Sequence, residues 1–379
     1  MRVCILIPNF IPIEGGAEIG AFELCKRLVK RGYEVFVITR KLKKEWKNIE
    51  EIEGIKIFRF NTKGGYLGLL FPFIHVGRFL NKINPDILNM HFIIPTGFAG
   101  CFWSKFFDIP TVTTSIGWDI YDPIIRVPKI LKYLMRIVPK KSDGLTSISI
   151  FVKETLIEDF DVKNKKIEII HYGVDTKRFN PENDGISIRK RYGIKNDIVV
   201  LTVQRLEKRK GVEYFIKAIP MVLERFNNIK FMIVGDGPEK NKLKKLCKSL
   251  GVSENVIFTG KIPNSEIQNY YKASDIFAFH TNYEGLGIVL LEAMASGKPI
   301  ITTMAGGTAD IIENNINGFI ITPRYPELFA DTLIKLLKNK KLRDEFGEAS
   351  REIAEKKFDW EIIVEKYIKV YEEVLNKKS

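Results

Sequence analysis

The residues best suited to chemistry lie between 280 and 301, in HTNYEGLGIVLLEAMASGKPII. Glu284 follows a strand-like run, Gly285-Leu286-Gly287 opens a helix-like one, and Glu292 falls inside that helix. Glycines at such a junction admit a ligand close to the backbone, and a helix start offers free N–H groups to a diphosphate. Glu292 lies about one and a half turns in, roughly 7–8 Å from Gly287. One carboxylate could then hold a sugar and the other a ribose at the two ends of a nucleoside diphosphate. A plain strand–helix turn with a capping glutamate would use the same residues, and spacing alone leaves both readings open.

A second stretch, VQRLEKRKGVEYFIKAI (203–219), places Arg205 and Lys210 just after a strand and at a helix start. Two fixed cations there could neutralise a leaving diphosphate, although a solvated charge run would look the same. IVGDGPE (233–239) reads as strand, glycine turn and helix, and its GxG is too short for a dinucleotide fingerprint. Near the N-terminus, Gly15-Gly16-Ala17-Glu18 opens a helix after the first strand, again where backbone N–H groups could meet a phosphate. The histidines at 75, 91, 171 and 280 form no HExxH, and the cysteines at 4, 25, 101 and 247 form no CxxC. A zinc site or disulfide framework is not expected from such spacing.

The elements that must position these residues alternate along the whole chain. Val3–Ile7, Val35–Thr39, Ile55–Phe60, Ile87–Met90, Thr111–Thr114, Gly144–Ile148 and Ile167–Ile170 read as short buried strands. Between the first two, Ala21, Leu24, Cys25 and Leu28 follow helical spacing, with Gly32 as the stop. The stretch 172–197 is polar and turn-rich, after which strands resume at 198–203, 229–234, 256–259, 276–279, 299–302 and 319–321. Such alternation predicts two doubly wound α/β domains, 1–174 and 175–359, with ligands at the carboxyl ends of the strands in a cleft between them.

Composition agrees with a folded α/β protein: 379 residues, 45% hydrophobic and 28% charged. The apolar start MRVCILI ends at Pro8, so it reads as a strand and not a signal peptide, and a cytoplasmic protein is expected. Net charge is +14, with 28 basic against 19 acidic residues in 1–180. A basic excess suits nucleic acid, an anionic membrane or an anionic substrate.

Taken together, GGAE, PDILNMH, HYGVDTKRF, VQRLEKRKG, VGDGPE, VIFTGKIP, YKASDIFAF and E-G-L-G-x4-E-A-M-A-S-G-K-P resemble family 4 of the retaining GT-B glycosyltransferases, in order and over nearly the whole chain. The resemblance implies two Rossmann-like domains facing across a cleft, with the last helix (360–376) crossing back to the first. It implies a nucleotide diphosphate sugar donor and an acceptor on the N-terminal side; no metal or other cofactor is expected, because the cations here are side chains. By the same resemblance Arg205 and Lys210 bind the diphosphate, Glu284 the transferred sugar and Glu292 the ribose. Gly16, Gly237, Gly285, Leu286 and Gly287 line the donor, and His91 faces the cleft. Many members carry His-Gly-x-Asp where this chain has Ile116-Gly117-Trp118-Asp119, which leaves Asp119 as the N-terminal candidate for the acceptor or the sugar. Asp159-Phe160-Asp161 spells the DxD of another, metal-dependent class but lies far in sequence from the donor motifs.

A lipid or lipid-linked glycan is the expected acceptor, with the protein docked on the inner face of the membrane. Residues 66–80 are apolar and aromatic but interrupted by Pro72 and two glycines, a poor ordinary helix. Residues 124–141 place Lys129, Lys132, Arg136 and Lys140 at helical spacing beside Ile130, Leu131, Leu134 and Val138, which suits the headgroup layer. A core helix with a solvated basic face would show the same pattern. Two other functions fit less of the sequence. A nucleotide-sugar epimerase of the same architecture should lack the E-G-x-G-x4-E start, and a nucleic-acid-binding protein should carry a recognition motif.

Overall fold

The computed structural model describes all residues except 62–69, 95, 118–128, 163–165, 183 and 379, and the side chains of 70–72 and 129–134. Asp119 and the side chains of Lys129 and Lys132 therefore lie outside the described residues. The chain divides into two compact units, Met1–Tyr172 with Trp360–Ser379, and Gly173–Asp359.

The first unit runs β1 (Arg2–Leu6), α1 (Gly16–Lys30), β2 (Glu34–Lys41), β3 (Ile49–Ile52), β4 (Ile55–Asn61) and α2 (Leu70–Ile83). It continues with β5 (Ile87–His91), α3 (Thr96–Phe106), β6 (Thr111–Ser115), α4 (Lys129–Lys141), β7 (Gly144–Ser147), α5 (Ile150–Phe160) and β8 (Glu168–Ile169). The sheet order is β3-β4-β2-β1-β5-β6-β7-β8, parallel apart from β3. Val3, Cys4, Ile5 and Leu6 of β1 are all buried, as a strand covered on both faces requires. Helix α1 buries Ala21, Leu24, Cys25 and Leu28 and stops at Gly32, where φ is +81°. There the Gly32 N–H bonds the Val29 carbonyl and the Tyr33 N–H that of Leu28, satisfying the last turn.

Two elements correct the reading from sequence. Strand β3 is absent from the expected set because IEEI carries no apolar run. It forms as an edge strand, antiparallel to β4, through the two-residue turn Glu53-Gly54. Both turn residues have positive φ (54° and 75°), which matches the twist of a tight hairpin. The second correction is α2, a regular helix from Leu70 despite Pro72 and Gly77. Pro72 sits in the first turn, where its missing N–H forfeits no helical bond. Gly77 lies under the Trp103 indole, in space that a Cβ would invade.

The second unit runs α6 (Ile186–Arg191), β9 (Ile198–Val203), α7 (Val212–Leu223), β10 (Ile229–Val234), α8 (Lys240–Ser249), β11 (Val256–Gly260) and α9 (Ile267–Ala273). Then come β12 (Ile276–Phe279), α10 (Ile288–Ala295), β13 (Ile300–Thr303), β14 (Gly318–Ile321), α11 (Pro326–Lys338) and α12 (Lys340–Ile353). Its parallel sheet has the order β11-β10-β9-β12-β13-β14. Val200, Phe215, Ile219, Phe231, Ile233 and Leu333 anchor its core, each contributing about 1.5–3 kcal/mol by burial. The order reverses between β9 and β12, and in the first unit between β1 and β5, so within each unit the loops that follow these two strands flank a crevice at the edge of that unit's own sheet.

The last helix, α13 (Trp360–Asn376), belongs to the first unit. Its buried face carries Ile363, Val364, Tyr367, Val370 and Val374. The Asn89 amide donates to the Tyr371 hydroxyl at 2.7 Å, and Arg31 reaches Glu361 and Glu365 at 2.9 and 2.7 Å. Among the described residues no helix is long and apolar enough to cross a membrane.

Candidate functional site

The loops after β9 and β12, neighbours at the reversal of the second sheet, carry Arg205, Lys210, Glu284, Gly285 and Leu286. Beyond β9 the chain makes a single 3-10 turn at Lys208–Lys210, which delivers Lys210 into a buried position over the Phe279 ring, 5.5 Å from its centre. Its ammonium donates to Glu284 Oε2. The loop bearing Glu284 is held by hydroxyls: the Thr281 N–H donates to Thr303 Oγ1 (3.0 Å), Thr303 Oγ1 donates back to the Thr281 carbonyl (2.6 Å), and Thr281 Oγ1 bonds the Tyr283 carbonyl (2.9 Å). Behind it, the buried His280 imidazole accepts the Arg324 N–H at 3.1 Å and stacks on Tyr214. Burial lowers that imidazole to about 4, so it is neutral at physiological pH.

Gly285 and Leu286 are buried in the turn, and Gly287 begins α10 at φ +94°, a conformation strained for any side chain. Among the described residues no side chain caps α10 there; the Leu290 N–H turns back to the Gly287 carbonyl at 2.9 Å, and the Ile288 and Val289 N–H groups remain available to an anion. Arg205 differs from Lys210. Its side chain is 73% exposed and paired with Glu207 Oε1 at 2.9 Å, while Glu207 also takes Arg209 at 3.0 Å. The structure thus brings together Lys210, Glu284 and the α10 start, and leaves Arg205 on the rim of the same β9 loop.

Glu292 lies on the second turn of α10, almost wholly buried. Burial pushes its carboxyl up to about 7, opposed by a hydrogen bond from Tyr271 and by the charge of Arg178. The Tyr271 hydroxyl, on α9, meets Glu292 Oε2 at 2.6 Å. Sequence reasoning passed over Tyr271, although YKASDIFAF was among the motifs quoted; only packing of α9 on α10 makes it a partner. The Thr281–Thr303 pair is likewise invisible, because its members lie 22 residues apart in sequence.

Gly237 has a packing reason of its own. A Cβ there would fall 2.5 Å from the Leu206 carbonyl oxygen, so the β10 loop rests directly on the segment that carries Arg205. In the first unit, Gly16 is exposed at the start of α1, whose N-cap is Gly15, a residue with no side chain to offer. His91 ends β5 fully buried, and among the described residues neither ring nitrogen has a hydrogen-bond partner. Burial lowers its imidazole to about 3, which keeps it neutral. Arg136 donates to the Asp159 carbonyl at 2.9 Å, and Lys140 pairs with Asp161 at 2.7 Å, so this part of the basic face of α4 is tied to the end of α5. Among the described residues no three His, Cys, Asp or Glu side chains gather where a metal could be held.

Comparison with known proteins gives the same family over both units. The Glycosyltransferase Family 4 description matches residues 14–178, and Glycosyl transferases group 1 matches 185–353. The chain is 30% identical to N-acetyl-alpha-D-glucosaminyl L-malate synthase of Bacillus anthracis over 374 residues, 96% of this chain and 95% of that protein. Among solved structures, sucrose-phosphate synthase of Thermosynechococcus elongatus superposes with a TM-score of 0.87, at 19% identity and 99% coverage of both chains. The Anabaena protein Alr3699/HepE in complex with UDP-glucose gives 0.80, at 20% identity and 100% coverage of both. At these identities the structures speak to the fold alone, which is GT-B. With that fold, both family matches and a relative similar from end to end, the chain belongs to family 4 of the group 1 glycosyltransferases, enzymes that transfer a sugar.

Proposed function

We propose that this enzyme takes its sugar from a nucleoside diphosphate sugar, passes it to a hydroxyl with retention at the anomeric carbon, and needs no metal. The observation that carries the reading is the meeting of Lys210, Glu284 and the uncapped start of α10 in one corner of the second unit. An anion seated on the α10 N–H groups lies beside the Lys210 ammonium, with Arg205 exchanging its exposed pair with Glu207 to close over it from the rim. As the bond between the anomeric carbon and the phosphate oxygen breaks, these groups stabilise the negative charge that develops. Glu284 meets a sugar hydroxyl and stays fixed by Lys210. The acceptor hydroxyl bonds the anomeric carbon from the face the phosphate leaves, and its proton passes to the phosphate oxygen. The complex of HepE with UDP-glucose supports a donor of this class.

A thermal-shift panel of UDP, GDP and ADP and their sugars, with EDTA present, identifies the donor, since a ligand bound only to the folded state stabilises by mass action. NMR of the product from an α-linked donor then tests the stereochemistry. A β-linked product overturns retention, and activity lost to EDTA but restored by Mn²⁺ or Mg²⁺ overturns metal independence.

For the acceptor, we read a lipid or lipid-linked glycan at an anionic membrane. Ile74 on α2 and Phe102 and Phe106 on α3 are 69%, 49% and 70% exposed. They surround an aromatic cluster in which Phe73 lies 4.7 Å from Phe102 and Trp103 lies 5.5 Å from Phe106. Exposed Arg78 and Lys105 stand on the same two helices, and such a pairing of apolar and basic surface suits a headgroup layer. A small soluble acceptor is the second reading, favoured by the L-malate in the name of the Bacillus anthracis relative.

A further inference from the structure

Glu292 presents its two carboxylate oxygens unequally. Oε2 accepts from Tyr271 at 2.6 Å, whereas Oε1 accepts no hydrogen bond among the described residues. Tyr271 is itself fully buried on α9, its ring edge-on to Phe179 at 5.8 Å and tilted against Phe277 at 5.5 Å. Its hydroxyl also lies 3.3 Å from the Val289 carbonyl, one turn before Glu292 on the same helix. The ring therefore has no room to swing, and the direction of its O–H is set by the packing of α9 on α10.

We propose that Tyr271 is a positioning residue for the ribose of the donor: by holding Oε2 it turns Oε1 alone toward the vicinal 2′ and 3′ hydroxyls. This rests on the donor reading above. A terminal carboxylate torsion is broad and close to two-fold, so without the phenol neither oxygen keeps a fixed direction. The same hydrogen bond favours the charged carboxylate, the form that accepts two hydroxyl donors, against the cost of its burial.

The other charges near Glu292 do not substitute for the phenol. Arg178 attracts the carboxylate from a distance, while its guanidinium is bonded to Asn264 and to Gln268 Oε1 at 3.2 Å. Arg351, on α12 behind α10, is bonded to the carbonyls of Thr176, Phe179 and Ala295 and to Glu355. Tyr271 is thus the group that touches the carboxylate directly.

The test is calorimetric titration of wild type, Tyr271→Phe and Glu292→Gln with UDP, GDP and ADP and their 2′-deoxy forms, from pH 6 to 9. Tyr271→Phe removes one oxygen and keeps the ring packing, and a thermal melt checks its fold. It should bind the preferred ribonucleotide about 10-fold more weakly at pH 7, the scale of one hydrogen bond to a charged group. The deficit should shrink toward pH 9, where Glu292 is charged without help, and preference over the 2′-deoxy form should fall. An unchanged profile, or an equal loss at every pH, overturns the role of Tyr271. If Glu292→Gln keeps the ribose preference, or if wild type binds none of the nucleotides, the donor reading itself fails.

Discussion

Lys210 and Glu284 stand 74 residues apart in the chain, and the ammonium of one donates to the carboxylate of the other across the reversal of the second sheet. Both side chains are largely shielded from water. A paired charge is stable there, whereas a lone one is costly.

Lys210→Ala should therefore act twice. Turnover should fall by the equivalent of about 2–4 kcal/mol, the scale of one electrostatic donor at a reacting phosphate. Stability should drop by roughly 1–3 kcal/mol, because Glu284 loses its partner. Adding Glu284→Gln should return most of the stability and none of the turnover, as urea unfolding and initial rates would show. Full turnover in the single variant would remove Lys210 from the reaction.

Arg205 gives the contrasting case. Its guanidinium is exposed and its ion pair with Glu207 is a surface one, so Arg205→Ala should change stability by less than about 0.5 kcal/mol. Its turnover should still fall by the equivalent of about 2–4 kcal/mol if the guanidinium closes on the leaving diphosphate. Steady-state kinetics beside a thermal melt separates the two effects, and an equal loss in both would point to a structural role.

Burial raises the Glu292 carboxyl from 4.5 to about 7, and the sign of the consequence is definite. Between these values the folded protein holds a proton that the unfolded chain has released, so this group favours folding most at low pH and its contribution is lost as pH rises toward 7. Glu292→Gln cannot titrate. The stability difference between variant and wild type should shift in favour of the variant from pH 4.5 to 7, then level off. A difference that is flat over this range would mean that Glu292 titrates normally.

Gly287 joins the Glu284 loop to α10, at φ +94°. Gly287→Ala should cost about 1–2 kcal/mol of stability from the left-handed conformation alone. Its new Cβ would also lie 3.1 Å from Leu290 Cδ1. Nucleotide affinity should weaken as the first turn of α10 shifts, and urea unfolding with a parallel nucleotide titration checks both.

The aromatic patch separates the two acceptor readings. Replacing Phe102 and Phe106 by Ser should lower cosedimentation with anionic vesicles by at least several-fold, since each removes a large exposed apolar ring from the contact. Replacing Arg78 by Glu should weaken binding most at low salt. Equal indifference of wild type to neutral and anionic vesicles would leave a soluble acceptor as the better reading.

Much of this protein is written locally. Buried runs such as RVCIL and IVVLTV, helical spacing such as that of Ala21, Leu24 and Cys25, and glycines at helix ends declare two parallel α/β units, because period and chain stops are properties of neighbouring residues. Glu284, Gly287 and Glu292 are legible for the same reason: a turn and the helix it opens carry them within nine consecutive residues. Local pattern misled where tertiary contact outweighs it. IEEI becomes a strand because β4 offers an open edge, and Gly77 is at home in a helix because an indole fills the space beside it. The pairing of Lys210 with Glu284 and the hold of Tyr271 on Glu292 were decided only by the fold. Each depends on which loops a parallel sheet brings side by side and on which helix packs against which, and no spacing along the chain encodes a distance across it.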